Sequence, residues 1–434
     1  MTDHAPVRLI RVAVLADEPL GWGSGKHFFL ALLQDYTWTT LDATYRFTVE
    51  YLTDNDIRRG RLSVSAFDVL VVPGGGVGDG HAISKGTVLS PRAKAWKGRI
   101  AAFIRDGGGY VGICGGAALM TDLKTASGRP RTFLERRYQH SAIGVSCVSS
   151  YYRSFAFPLL YPFQRNHPED VGAAAYVFSF APGKTMDGAW VHTGGTPLDF
   201  RLNTTHPVFA DAPRSSELIR WWGGPGLIVP EQAGREVQVL AWYPAVDLSG
   251  DRRRRIYAWR YTGGLMGLGK AVLGAFRLVR RQRAPLRKVL LYTFYLAGDW
   301  ERTERIIAVD QANLPAVTAE VFPNANKGRI LLCAAHPEYL RWTSGQIVEK
   351  TGAEFTCIGA GFRRWEGVDS LDLLLNQGVT ATWWMVRRFV AWAAKVPQGN
   401  LPPVESHPLS DAERAVLLPY VVWDGSLANQ FKVI

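Results

Sequence analysis

The stretch Tyr110-Val111-Gly112-Ile113-Cys114-Gly115-Gly116-Ala117 leaves its backbone few choices. An apolar run ends in Gly-x-Cys-x-Gly, and small residues follow. This is the pattern of a nucleophile elbow, a sharp strand-to-helix turn that holds one reactive side chain clear of the backbone. Glycines flank the cysteine because side chains at those positions would clash in so tight a turn. The turn also directs a helix N-terminus at the sulfur, and that dipole favours the thiolate, which is the reactive form. A buried structural cysteine needs none of this. Cys114 is therefore the candidate nucleophile; the plainer reading is a core cysteine in a Gly-rich turn.

Around this turn the chain alternates strands and helices. Leu9–Leu15, Phe47–Leu52, Phe67–Val72, Gly109–Ile113, Val237–Tyr243 and Gly328–Ala335 read as strands from their apolar, β-branched and aromatic content. Lys26–Leu33, Trp96–Asp106 and the Trp-rich stretch Leu371–Val396 read as helices, with Ser24 a candidate cap for the first. Such alternation implies a doubly wound, mostly parallel sheet with helices on both faces, whose catalytic loops gather at the carboxyl ends of the strands. One α/β domain is expected over residues 1–250, with a loop-rich insertion at about 125–215. A basic insertion follows at 251–315, residues 316–396 complete the domain, and 397–434 form a Pro-rich tail.

A cysteine nucleophile needs a base, and the base needs an orienting partner. His336 directly follows the strongly apolar strand ending at Ala335, which puts it at the same sheet edge as Cys114. Glu338 lies beyond a bend at Pro337 and can fold back on the imidazole to fix its tautomer. A second copy, His167-Pro168-Glu169, follows a loop and ranks below the first; either copy could equally be a helix-start signal. Pro73-Gly74-Gly75-Gly76 also follows a buried strand. The N–H groups of Gly75 and Gly76, with that of Gly115, are the candidate oxyanion hole. The Gly-rich loop lacks the Gly-Lys-Ser/Thr ending of a P-loop.

Val72-Pro73-Gly74-Gly75, Gly112-Ile113-Cys114-Gly115-Gly116 and Ala335-His336-Pro337-Glu338, in that order, resemble the class I glutamine amidotransferase-like superfamily. Within it the chain is most similar to the group resembling the N-terminal domain of biotin-protein ligase. Gly108 to Cys114 looks like that group's elbow, Trp222-Gly223-Gly224-Pro225-Gly226 like its Gly-Gly-Pro stretch, and Ser24-Gly25-Lys26-His27 also fits. The likeness covers residues 7–123, 220–245 and 326–340. It implies a flavodoxin-like fold with Cys114 as nucleophile, His336 as base and Glu338 as orienter. The implied activity is that of a cysteine hydrolase or amidotransferase-like enzyme working through a thioester. Glutamine-using members continue the elbow as Cys-x-Gly-x-Gln; here that position is Ala118, which counts against glutaminase activity. A non-catalytic binding or membrane-associated scaffold, or a redox-sensing cysteine, is the competing class. The aromatic-rich insertions suit a small-molecule or peptide-like substrate. No metal or cofactor is expected, because the cysteines and histidines show no tight ligand spacing.

The net charge of +12 is concentrated in one place. Twelve basic residues and a single acid, Asp251, lie between Asp251 and Lys288. Within this window Gly264–Arg283 can be drawn as a helix with Leu265, Leu268, Val272, Ala275, Phe276 and Val279 on one side and Lys270, Arg277 and Arg281 on another. The apolar side either packs on the domain or meets a partner, an anionic lipid surface or an acidic protein. Nucleic acid ranks last, because no recognised motif accompanies the charge. The N-terminus carries no signal pattern and no window offers an uninterrupted apolar span. Four cysteines in 434 residues do not suggest a disulfide scaffold. The expected home is the reducing cytoplasm, with peripheral membrane association open.

Overall fold

Strand β1 (Val7–Leu15) divides its side chains between two cores. Ile10, Val12 and Val14 belong to one; Ala13 and Leu15 lie against the other. This period of two is what a strand buried on both faces requires. The structure is a computed structural model, describing residues 6–16, 25–74, 91–124, 143–151, 183–184, 190–191, 196–221, 224, 226–245, 257–261, 264–282, 300–306, 312–323, 326–340, 346–349, 363–366 and 382–423.

Nine further strands join β1 in one ten-stranded sheet. They are β2 (Thr37–Thr39), β3 (Thr44–Leu52), β4 (Val69–Val72), β5 (Gly109–Ile113) and β6 (Thr196–Leu202). The last four are β7 (Ser216–Trp221), β8 (Val237–Trp242), β9 (Pro315–Val321) and β10 (Arg329–Cys333). Their order is β7-β6-β8-β9-β10-β5-β4-β1-β3-β2. The centre, from β10 through β5, β4 and β1 to β3, is parallel. Antiparallel strands extend it on both sides.

Helices cover both faces, as expected for a doubly wound, flavodoxin-like α/β fold. On one face, α1 (Gly25–Leu33) buries Phe28, Phe29, Leu32 and Leu33. On the other lie the short α2 (Asp54–Arg58), started by a Thr53–Asp56 capping box, and α3 (Pro91–Arg105). In α3, Trp96, Ile100, Phe103 and Ile104 are buried at helical spacing. The elbow helix α4 is Gly115–Met120. Two later helices, α6 (Trp383–Ala393) and α7 (Asp411–Val421), join the α1 side, which also holds Leu417 of α7. Every residue of α6 is buried, including Arg387 and Arg388. Those guanidiniums avoid an unpaired burial by reaching backbone oxygens of Leu32, Pro402 and Pro207.

Strand β6 falls within the stretch expected to be loop-rich. Its Leu198, Phe200 and Leu202 alternate with exposed Asp199 and Arg201, and antiparallel pairing with β7 makes it part of the sheet. The basic insertion has internal order of its own. Tyr257–Tyr261 and Trp300–Ile306 pair antiparallel, and between them in the chain runs α5 (Gly264–Gln282). This excursion leaves from β8 and returns to its neighbour β9. No helix among the described residues is long and apolar enough to cross a membrane.

Candidate active site

Strands β4, β5 and β10 are parallel neighbours at the centre of the sheet. Their register aligns Val72 with Gly112 and Ile113 with Cys333. The chain therefore leaves the sheet side by side at three places: Pro73-Gly74, Cys114 and Ala334-Ala335-His336. Cys114 N–H donates to the Cys333 carbonyl at 2.6 Å. The Cys114 carbonyl then accepts from the N–H groups of Ala117 and Ala118, at 3.0 and 3.1 Å, and α4 begins. Between those bonds Cys114 has φ 49° and ψ −105°, a region that costs a non-glycine residue on the order of 1–3 kcal/mol. The second glycine of the elbow answers a steric demand: a Cβ on Gly116 would lie 2.0 Å from the Val72 carbonyl oxygen.

His336 is fixed from several sides. Its N–H donates to the Arg220 carbonyl at 2.7 Å. Its Nδ1 lies 2.7 Å from Glu338 Oε1, with both side chains fully buried. The other carboxylate oxygen, Oε2, has no hydrogen-bond partner among the described residues, so the imidazole is the carboxylate's one polar contact there. The start of α6 holds the backbone of the same triplet. Thr382 Oγ1 donates to the Pro337 carbonyl at 2.7 Å, and Trp383 Nε1 to the Glu338 carbonyl at 2.8 Å. Below the ring, Tyr339 stacks on His336 with centroids 4.6 Å apart and planes 8° from parallel. The Arg220 guanidinium lies over Tyr339, 4.9 Å from its centroid, and donates to the Leu340 carbonyl. Burial pulls that guanidinium down to about 9, with Tyr339 and Glu338 opposing.

The nucleophile candidate and the base candidate meet at Gly74. A Cβ built there would lie 2.4 Å from Cys114 Cβ and 2.8 Å from His336 Cε1. The two atoms are thus separated by no more than those distances laid end to end. Cys114, His336 and Glu338 are all fully buried. Gly115 opens α4 beside them. The other oxyanion candidates, Gly75 and Gly76, lie outside the described residues, as do Ser24 and the second triplet His167-Pro168-Glu169. Ala118, at the position where a glutamine would sit, is buried in the core with Cys114. Cys333 is a contrasting thiol: burial pushes it well up, and its Sγ donates to Ala335 O.

Tyr339, Arg220, Thr382 and Trp383 are not singled out by sequence reasoning. Tyr339 had the one available signal, its position directly after His-Pro-Glu. Among the described residues no group of three His, Cys, Asp or Glu side chains could hold a metal ion.

No family model matches the chain, and no curated protein does; the narrower likeness to the biotin-protein ligase N-terminal group gains nothing from that comparison. Among solved structures, the chain is similar to a ThuA-like protein of Bacteroides uniformis ATCC 8492. The two share 12% identity over 76% of this chain and 83% of the other, with a TM-score of 0.31. It is also similar to the protein SMU.1228c, with 13% identity over 54% of this chain and 67% of the other, and a TM-score of 0.23. The fold assignment rests on the strand order above.

Proposed function

We propose that the chain is a cysteine-nucleophile hydrolase or amidotransferase-like enzyme of the class I glutamine amidotransferase-like superfamily, acting on an amide or related acyl bond. The observation that carries this reading is the meeting of Cys114 and His336 around Gly74, with Glu338 hydrogen-bonded behind the imidazole. The strained backbone of Cys114 adds support, because a core cysteine gains nothing from φ 49°. The narrower likeness to the biotin-protein ligase N-terminal group rests on the sequence motifs alone.

In the proposed reaction His336 takes the thiol proton and the sulfur attacks the carbonyl carbon. The resulting oxyanion would be met by the Gly115 N–H and by Gly75 or Gly76, each donor worth roughly 3 kcal/mol in comparable sites. Imidazolium returns the proton to the leaving nitrogen, the C–N bond breaks, and an acyl-thioester remains. Water or an amine, deprotonated by His336, then attacks the thioester and releases the acyl group and the thiol. Glu338 holds the imidazole in one tautomer and balances its charge. Ala118 removes the side chain that glutamine-using relatives carry, so glutamine itself is not the proposed substrate. Cytoplasmic residence, which keeps the thiol reduced, belongs to the same proposal.

The test is the pH dependence of Cys114 alkylation by iodoacetamide, with the modified residue identified by mass spectrometry. An activated thiol titrates below the usual value of about 8.5, and His336→Ala raises that midpoint. Titration at or above that value, indifferent to His336→Ala, would favour the non-catalytic scaffold. The redox-sensor reading needs Cys114 reactive toward peroxide yet independent of His336.

A further inference from the structure

Helix α5 exposes large apolar side chains that a surface helix ordinarily buries. Along its 19 residues, about 28 Å at 1.5 Å per residue, the large apolar side chains that the structure describes are exposed. Leu265 is 80% exposed, Met266 82%, Leu273 55% and Phe276 53%. These positions, with the exposed Val272, recur at the spacing that gathers them into one stripe. Among the described residues of α5, the buried one is Gly267. A helix that packed its apolar stripe on the domain would show the reverse. Contiguous exposed apolar surface of this kind marks a contact site.

The charge around the helix says what it contacts. Lys270 and Arg280 are exposed on α5 itself. From Arg252 to Gly298 the sequence holds twelve basic residues and no acid. Basic residues precede the helix at Arg252–Arg255 and follow it at Arg283, Arg287 and Lys288. The whole unit hangs from two adjacent sheet strands as a ribbon-and-helix excursion, which sets the helix apart from the catalytic sheet edge by connectivity. We propose that α5 lies in the interface of an anionic lipid bilayer. Its Leu265, Met266, Leu273 and Phe276 enter the boundary between headgroups and acyl chains, while the flanking lysine and arginines engage lipid phosphates and carboxylates.

Two alternatives fit less well. A nucleic acid offers phosphates, but three of the four most exposed apolar side chains are aliphatic, with no face to stack on bases. An acidic protein groove would match one stripe and a few charges. A run of basic residues that brackets the helix on both sides, with no acid among them, matches a plane of negative charge better. This inference stands apart from the catalytic reading and does not need it.

The experiment is co-sedimentation of the full chain with vesicles of pure phosphatidylcholine and with vesicles in which a quarter of the lipid is phosphatidylserine. Binding is expected to the second at low salt, to fall as salt rises, and to be weak to the first. The double variant L273E/F276E, at two exposed positions, is expected to lower the partition by about ten-fold or more while the far-UV circular dichroism stays unchanged. Lys270→Glu with Arg280→Glu tests the charge component separately and should act on phosphatidylserine vesicles alone. No sedimentation with anionic vesicles at low salt would overturn the proposal. So would sedimentation untouched by L273E/F276E.

Discussion

Glu338 Oε1 and His336 Nδ1 lie 2.7 Å apart with neither side chain exposed. A carboxylate hydrogen-bonded to one ring nitrogen holds the imidazole in one tautomer and orients the other nitrogen. Glu338→Gln keeps the shape and a hydrogen-bonding oxygen but removes the charge. The difference between a charged and a neutral hydrogen bond is about 1–1.5 kcal/mol, or roughly one pH unit. Under the proposed function the Cys114 alkylation midpoint should therefore rise by about one unit in Glu338→Gln. A midpoint unchanged from wild type would remove Glu338 from the proposed triad.

Gly74 is the most economical probe of the Cys114–His336 approach, because it changes no ionisable group. The Cβ of Gly74→Ala would have to share space with Cys114 Cβ at 2.4 Å, His336 Cε1 at 2.8 Å and the Ile113 carbonyl oxygen at 2.8 Å. The Ile113 carbonyl and the Cys114 Cβ are both fixed by the backbone of the elbow, so the Gly74 segment must shift and the His336 ring must move with it. The expected cost is about 1–3 kcal/mol of stability, read as a lower denaturant midpoint. Loss of the His336 dependence of Cys114 alkylation should accompany it. A variant as stable and as reactive as wild type would show that the close approach is not maintained in solution.

Tyr339 is expected to act as a positioning residue, held between the His336 ring and the Arg220 guanidinium. Tyr339→Phe keeps the stacked ring and should leave the alkylation profile near wild type. Tyr339→Leu removes the flat surface under the imidazole, a contact worth about 0.5–1.5 kcal/mol. It should slow Cys114 alkylation by roughly three- to ten-fold at neutral pH. A merely structural tyrosine would lower the thermal midpoint in both variants and leave the reaction alone.

The elements that carry Cys114, His336 and Glu338 can be read from the chain because they follow short, largely apolar strands and lie in glycine- or proline-marked turns. The antiparallel extension is much harder to read. Strand β9 starts at a proline and carries a fully buried carboxylate, Glu320, and a charge at a core position erases the apolar run that would announce a strand. Strand β7 follows Pro213-Arg214-Ser215 and has half its residues only partly buried. Yet β7 ends at Arg220 and Trp221, and the Arg220 carbonyl receives the His336 N–H. The support beneath the imidazole is thus built by pairings between distant segments, and local pattern says nothing of those. Thr382 and Trp383 reach Pro337 and Glu338 from 45 residues downstream.

That buried Glu320 yields a stability prediction away from the site. It meets Arg235 Nε at 2.7 Å, Ser146 Oγ at 2.6 Å and the Cys147 N–H at 3.2 Å. It thereby ties the 143–151 segment to the sheet, and burial, with Glu320 second, pushes the Cys147 thiol up. Glu320→Ala strands the Arg235 charge in a largely buried setting and should cost about 3–5 kcal/mol in denaturant unfolding. Arg235→Met combined with Glu320→Ala should recover part of that loss, since the uncompensated charge is gone. Additive losses in the double variant would argue that the pair does not act as a unit.

His206 gives the chain a stability that depends on pH. Its ring is buried beside Trp392, and Nδ1 accepts the Val208 N–H at 3.2 Å. Burial first, then Arg329, pulls the imidazole down to about 4, with Glu236 pulling weakly the other way. Above the unfolded value of about 6.5 the ring is neutral in both states and costs nothing. As pH falls from there towards 4, the unfolded chain binds a proton that the folded chain refuses, so stability is lost across that window. At roughly 1.4 kcal/mol per unit the loss comes to about 2–3 kcal/mol. His206→Asn retains an acceptor for the Val208 N–H and has nothing to titrate. Carboxylates contribute in the same window for both proteins, so the informative quantity is the difference between them. Urea unfolding at pH 7 and pH 4.5 should show wild type losing more stability than His206→Asn. Equal losses would mean that the folded ring takes up its proton as readily as the unfolded one.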